Sequence, residues 1–330
     1  MQSRFNPSEL RLPIIASPMF IASGKDLVMA QCTSGIVGTF PALNARPQSA
    51  LRPMIEDLKQ SLDEYRAAHP GSCVAPFGVN QVMSPHNDRF REDWEDIIAC
   101  EVPIIITSLK PPQREEIDRI HAYGGVIYHD ATTTRHAQKA IEAGVDGVIL
   151  VCAGAGGHAG SINPFALYNE VRAIYDGTII LAGAIGNGSS IFAARALGAD
   201  LVYMGTRFLP TVESNIDEDH KQYVIESGAS DIVYTDLFTG IPANYLTKSL
   251  EKAGLDPRNL PRKEDGDFRK YKSGGDGDIK VWRDIKGGGQ GIAHITGIER
   301  TADVIDTLEQ EYRAALLKCA REVMSAAQTV

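Results

Sequence analysis

A repeated rhythm constrains this chain more than any single motif. Eight short runs rich in Val and Ile recur between residues 12 and 205: "LPIIASPM" (12–19), "GIVGTF" (35–40), "CVAPFGVN" (73–80), "VPIIITS" (102–108), "GGVIYHD" (124–130), "DGVILV" (146–151), "GTIILAG" (177–183) and "DLVYMG" (200–205). None alternates cleanly between apolar and polar residues. Each therefore predicts a strand covered on both faces, the condition of parallel strands beneath crossover helices. Amphipathic segments lie between them. "TTTRHAQKAIEAG" (132–144) starts on Thr and stops on Gly, and "GSSIFAARALGA" (188–199) starts beside Ser and stops near Gly198. That is helix punctuation. "EAGVDGVILV" and "ALGADLVYMG" repeat one pattern, a Gly-x-Asp turn feeding an apolar run, as an internal βα repeat would. The prediction is an α/β chain folded as a (β/α)8 TIM barrel. A doubly wound open sheet ranks lower, because no G-x-G-x-x-G follows the first run.

Past residue 210 the rhythm is lost. Residues 213–291 are expected to form a smaller substrate or lid region, with the charged, Gly-rich 262–278 as an exposed loop. Residues 1–212 and 292–330 are assigned to the barrel, ending in a long amphipathic helix from Thr301 that packs on the barrel or in a homodimer. With 33 basic against 42 acidic residues the formal charge is −9, which speaks against nucleic acid or an anionic membrane as partner. It leaves room for an anionic small ligand in a local pocket. No apolar stretch reaches membrane-spanning length and the first residues do not read as a signal peptide. The five cysteines are scattered without a C-x-x-C, which points to reduced thiols in a cytoplasm. Cys152 reads as packing rather than as a nucleophile.

In a barrel, chemistry sits at the C-terminal ends of the strands. "LAGAIGNGSS" puts Gly183, Ala184, Gly186 and Gly188 between the seventh run and a helix start, and "MGTRF" puts Gly205 and Thr206 at the end of the eighth. Singly, each glycine could serve a tight turn. As a pair on neighbouring strands, the two bare stretches suit a phosphate held by backbone N–H groups and a helix N-terminus. A phosphorylated cofactor gripped there would lay its ring against Ser17, Pro18 and Met19. Asn80 offers that ring both donor and acceptor, and His129 and Asp130 border it. "VCAGAGGHAGSINPF" (151–165) is nearly bare of side chains, so a flat ring can approach the backbone near Gly157. His158 is then the one group there able to move a proton near neutral pH. A loop-capping histidine is the plainer alternative. No histidine pair has metal-ligand spacing, so no metal is expected. These residues alone also allow a phosphosugar or nucleotide ligand without further cofactor.

"ASPM", "PFGVN", "AGGHAG", "LAGAI" and "MGTRF", in that order, resemble the nitronate monooxygenase (2-nitropropane dioxygenase) family of FMN-dependent TIM barrels. The resemblance covers about residues 10–210, and "VWRDIKGGGQG" (281–291) is similar to a late segment of the family. It implies FMN as cofactor, with Ser17, Pro18 and Met19 against the flavin and Asn80 and Thr107 on its ring or ribityl. Gly183, Ala184, Gly205 and Thr206 would hold its phosphate, Gln290 would border it, and His158 would be the base. The implied reaction takes a nitronate, or a nitroalkane deprotonated by His158, passes an electron to FMN and uses O2 to give a carbonyl compound and nitrite. The chain departs from its relatives in having no carboxylate just before Gly-Gly-His, and in carrying Asp130 where some have lysine. The same resemblance extends to flavin-dependent enoyl-thioester and NAD(P)H:quinone reductases, the alternative function.

Overall fold

The structure is a computed structural model that describes residues 5–260 and 279–327; the loop expected at 262–278 lies outside the described residues. The strands are β1 (Ile14–Ala16), β2 (Gly38–Pro41), β3 (Phe77–Met83), β4 (Ile104–Leu109), β5 (Val126–Ala131), β6 (Gly147–Val151), the two-residue β7 (Gly157–His158), β8 (Thr178–Ala182) and β9 (Leu201–Met204). All but β7 pair in parallel in the order β1-β9-β8-β6-β5-β4-β3-β2. A bridge between Ile15 and Val37 joins the two ends, with Ala16 N–H donating to Val37 O at 2.8 Å. The expected eight-stranded barrel is therefore formed, and each strand falls within or beside its apolar run.

Side chains alternate across this sheet as a period of two demands. Ile15, Val37, Ile104, Ile106, Tyr128, Ile149, Ile180 and Leu201 fill the barrel interior. Their neighbours Ile14, Val79, Ile105, Ile127, Val148, Ile179 and Val202 face the helices. The helices after the strands are α1 (Lys25–Thr33), α2 (Leu51–Ala68), α3 (Phe90–Ala99), α4 (Arg114–Ala122), α5 (Thr134–Ala143), α6 (Pro164–Arg172) and α7 (Gly188–Leu197). Thr133 caps α5 by accepting from His136 N–H, and α5 ends on Gly144 at φ 96°. Asn187 caps α7, which ends on Gly198 at φ 111°.

After β9 the chain makes a long excursion through α8 (Glu218–Ile225), β10 (Ile232–Thr235), β11 (Ala243–Leu246) and α9 (Thr247–Lys252) before α10 (Thr301–Ala327). The first turns of α10 pack on α7 and α1, where the barrel's eighth helix belongs. In the excursion β10 and β11 form an antiparallel pair, and β11 takes β7 as its third strand, setting Ala243 opposite His158. The excursion thereby reaches back to the loop after β6. Among the described residues no helix is long and apolar enough to cross a membrane.

Candidate active site

Strand parity decides which candidate residues reach the barrel mouth. Asn80, Ser108 and Asp130 share the inward face with Ile106 and Tyr128. They form a chain: Asn80 Nδ2 donates to Ser108 Oγ at 2.8 Å, and Ser108 donates to Asp130 Oδ2 at 2.7 Å. The other carboxylate oxygen, Oδ1, is buried with no partner. Burial pushes the Asp130 carboxyl up to about 7, with Ser108 opposing. Thr107 stands one residue out of phase and shares the outer face with Ile105. Its hydroxyl lies 2.8 Å from His129 Nδ1 and bonds Tyr128 O at 3.2 Å, both fully inside the protein. The Thr107 side chain is thus turned away from the mouth, and Ser108 stands in its place. His129 is likewise turned outward, and burial pulls it down to about 4.

The β1 loop lies directly on the end of β9. Ser17 N–H donates to Met204 O at 2.8 Å. A Cβ built on Gly205 would sit 3.3 Å from Ser17 Cβ and 3.4 Å from the Met19 sulfur. Ser17, Pro18, Met19 and Gly205 are thus brought together, and Gly205 is small because the loop presses on it. The N–H groups of Gly183, Ala184 and Gly205 donate to no acceptor among the described residues. Gly183 and Ala184 have φ of 126° and 54°, so the turn after β8 leaves the sheet with its amides unspent. These free amides on β8 and β9 fit a phosphate.

At the N-terminus of α7 most amides are already used: Ser190 Oγ accepts from Gly186 and Asn187 N–H, Asn187 Oδ1 accepts from Ser190 N–H, and Glu311 of α10 accepts from Gly188 N–H at 2.7 Å. Gly186 and Gly188 are likewise packing residues. Their Cβ atoms would fall 2.0 Å from Gly291 O and 2.2 Å from Tyr312 N.

Residues 286–291 cross over this region. Gly289 N–H donates to Thr206 Oγ1 at 2.9 Å, and Gln290 N–H to Gly154 O at 2.8 Å. Gln290 Oε1 lies 2.9 Å from a Cβ built on Gly154, with Ala184 Cβ 3.1 Å from the same point, so Thr206, Gln290 and Ala184 converge. His220 in α8 bonds Gly287 O at 2.9 Å, and Lys286 pairs with Asp217. Burial lowers His220 to about 4, so the neutral ring donates this bond from Nε2. Sequence reasoning missed His220 and Gly289, although the Gly287-Gly288-Gly289 run was a signal of close backbone approach.

His158 is reachable by solvent yet recessed among protein atoms, and this crowding lowers its pKa. Its Nε2 lies 3.0 Å from Thr239 Oγ1, and the Thr239 hydroxyl donates to Ile241 O at 2.9 Å. A hydroxyl that spends its proton on Ile241 O accepts from the imidazole at Nε2, an arrangement that suits a neutral ring with its lone pair on Nδ1. Trp282 meets the ring edge-on at 5.2 Å and stacks obliquely on Tyr245 at 5.4 Å. Gly157, at φ 68°, keeps the space in front of Trp282 free of a side chain. Cys152 is fully buried and raised to about 12 by that burial, which suits packing and not nucleophilic attack. Trp282 belongs to the 281–291 segment that the resemblance brings toward the site, whereas Thr239 has no local signal and reaches His158 through the β7–β11 pairing.

A model of the nitronate monooxygenase family matches residues 57–264. The chain belongs to the nitronate monooxygenase family. It is an oxidoreductase of a family that uses flavin. A monooxygenase of Mycobacterium tuberculosis is 33% identical over 149 residues, 45% of this chain and 40% of that protein. A hydroxy-methyl-oxo-octahydroindene-carboxyl-CoA dehydrogenase of Rhodococcus jostii is 29% identical over 246 residues, 73% of this chain. That match spans 65% of the dehydrogenase, so the chain covers less than two thirds of either relative. Among solved structures, FabK from Thermotoga maritima superposes with a TM-score of 0.76 at 26% identity, covering 95% of this chain and 96% of that one. A nitroalkane oxidase from Streptomyces ansochromogenes gives 0.74 at 25% identity, covering 95% and 99%.

Proposed function

We propose that the chain oxidises alkyl nitronates, and nitroalkanes after deprotonation, with FMN as cofactor, O2 as electron acceptor and Nδ1 of His158 as base. The observation that carries the reading is the contact of His158 Nε2 with Thr239, whose hydroxyl donates onward to Ile241 O; it supports a neutral ring that donates from Nε2 and keeps its lone pair on Nδ1. The fit of FMN rests on the free amides of Gly183, Ala184 and Gly205 for a phosphate, and on the buried, unpartnered Oδ1 of Asp130 near a ring edge. When bound, the flavin supplies one-electron chemistry and reaction with O2. The protein's own residues do the rest. Ser17, Pro18 and Met19 back the ring, and Asn80 and Ser108 hold Asp130. Thr206 and Gln290 close the cradle under the 286–291 strip. His158 takes the α-proton of a nitroalkane at Nδ1, and its depressed pKa keeps that atom free at neutral pH.

The test is the visible spectrum of the purified protein, followed by anaerobic titration. A yellow protein whose flavin is bleached by a nitronate and untouched by NAD(P)H supports the reading. A colourless protein that takes up no FMN rejects it. The dehydrogenase relative favours a second reading, exchange of hydride with a nicotinamide or a thioester, and rapid bleaching by NAD(P)H or by an acyl-CoA would select it.

A further inference from the structure

A cleft of about 1170 Å3 opens beside the barrel mouth, between the β1 loop, α2 and the segment 280–283. None of the candidate flavin residues lines it. It lies at or above the usual span of ligand pockets, roughly 300–1,000 Å3, and a small nitroalkane would leave most of it empty. Its charged wall residues are Lys25, Arg46, Lys280 and Arg283 against one anion, Asp57. Lys25 pairs with Asp57 at 2.6 Å, and Arg283 with its neighbour Asp284 at 2.6 Å. Four cations against Asp57 and Asp284 leave a surplus of two (4 − 2), in a chain whose total is −9. Arg46 and Lys280 have no carboxylate partner among the described residues. The N-terminus of α1 at Gly24, without a side-chain cap, belongs to the same wall and adds the same sign.

The cleft also offers a flat apolar surface. Arg46 lies over the Phe20 ring at 5.0 Å. Ile21 is 38% exposed there and holds φ at 68°, a strained value for a β-branched residue. Asn44 maintains that strain: its Oδ1 accepts from Ile21 N–H at 3.0 Å, while its Nδ2 donates to Met19 O and Ser23 O at 3.1 and 2.9 Å. Val281 and Arg283 line the cleft, and Trp282 between them meets His158. One short segment therefore separates the cleft from the reaction site.

We propose that this cleft binds the nucleoside diphosphate of a nucleotide-bearing reactant. Arg46 and Lys280 hold the diphosphate, the Phe20–Ile21 surface carries the base, and the reacting end passes Trp282 to His158. Only the last step rests on the second reading above, exchange with a nicotinamide or a thioester; the binding itself does not. The same handle occurs in nicotinamide dinucleotides and in coenzyme A thioesters. The experiment is isothermal titration of the full chain with ADP, with inorganic pyrophosphate as reference. ADP is expected to bind at least tenfold tighter than pyrophosphate, with affinity falling as salt rises. Arg46→Glu and Lys280→Ala, each checked for unchanged circular dichroism, are expected to weaken ADP tenfold or more. His158→Ala should bind ADP like the parent, which separates this claim from the catalytic one. Displacement of ADP by NADH identifies a hydride donor as the source, and displacement by an acyl-CoA identifies a thioester substrate. ADP binding that is absent, no tighter than pyrophosphate, or indifferent to both substitutions overturns the proposal.

Discussion

Thr239 decides which nitrogen of His158 can take a proton, and that choice can be tested one residue at a time. His158→Ala removes the proposed base. Turnover of neutral nitroalkanes is expected to fall by ~10²–10⁴-fold, the usual worth of general base catalysis, while a preformed nitronate loses far less because its proton is already gone. Steady-state rates on the two substrate forms check this, and an equal loss on both would reject the base. Because crowding holds the His158 pKa below 6.5, kcat/KM for a nitroalkane should climb through an acidic pKa and be flat at neutral pH. Thr239→Val deletes the acceptor at Nε2 and leaves the ring free to choose its tautomer. The expected result is a drop of about tenfold or more with neutral substrates, the scale seen when an orienting partner is lost, together with an altered pH profile. A variant of Thr239 that slowed both substrate forms alike would point to a merely structural hydroxyl.

At the scale of elements, glycines set how closely two loops can lie. A Cβ at position 186 would sit 2.0 Å from Gly291 O, a backbone atom that cannot swing aside. Gly186→Ala should therefore separate the 286–291 strip from the β8 loop. We expect a loss of about 1–3 kcal/mol, as for overpacking of a tight site, read as a lower midpoint in urea and as weaker flavin retention. An alanine variant as stable as the parent would mean that the strip is held elsewhere, for instance by His220 and Lys286. The strands and their order were legible because apolar runs of strand length, separated by Thr- or Asn-capped and Gly-stopped helices, leave few alternatives. Thr107 was misplaced because a run covered on both faces has no visible parity, and Ser108 could be told from it only once Ile105 and Ile106 had been assigned to faces. By sequence the glycines after β8 form one bare stretch that suits a phosphate. In fact Gly183 frees amides while Gly186 and Gly188 admit Gly291 and α10, a division that depends on residues about a hundred positions away. Thr239 and His220 are illegible for the same reason: their partners are fixed by β11 pairing with β7 and by the strip, contacts between distant segments with no local pattern.

Across the whole molecule, barrel and excursion are joined by buried groups whose protonation the fold controls. His129 lies between the barrel and its helices, and His220 ties α8 to the strip. Both are pulled down to about 4 from an ordinary 6.5 by burial, while Asp130 at the mouth is pushed up to about 7 from 3.8. In the acidic range the unfolded chain carries protons on His129, His220 and His158 that the fold disfavours, and the fold carries one Asp130 proton that the unfolded chain lacks. The unfolded chain is then the more protonated, so these groups make stability rise with pH in that window. Between 6.5 and 7 only Asp130 still differs, the sign reverses, and stability slips slightly. Surface carboxylates held low by arginine, such as Glu95 and Glu309, contribute stability that is lost only as pH falls below their ordinary 4.5. His220→Gln keeps an N–H donor for Gly287 O and removes one titrating group. Urea unfolding at pH 4.5, 5.5 and 6.5 should then show the parent gaining stability with pH more steeply than His220→Gln, the gap changing by on the order of 1 kcal/mol per unit. A gap independent of pH would mean that His220 is protonated in the fold, and the strip would then need an anchor other than a neutral imidazole.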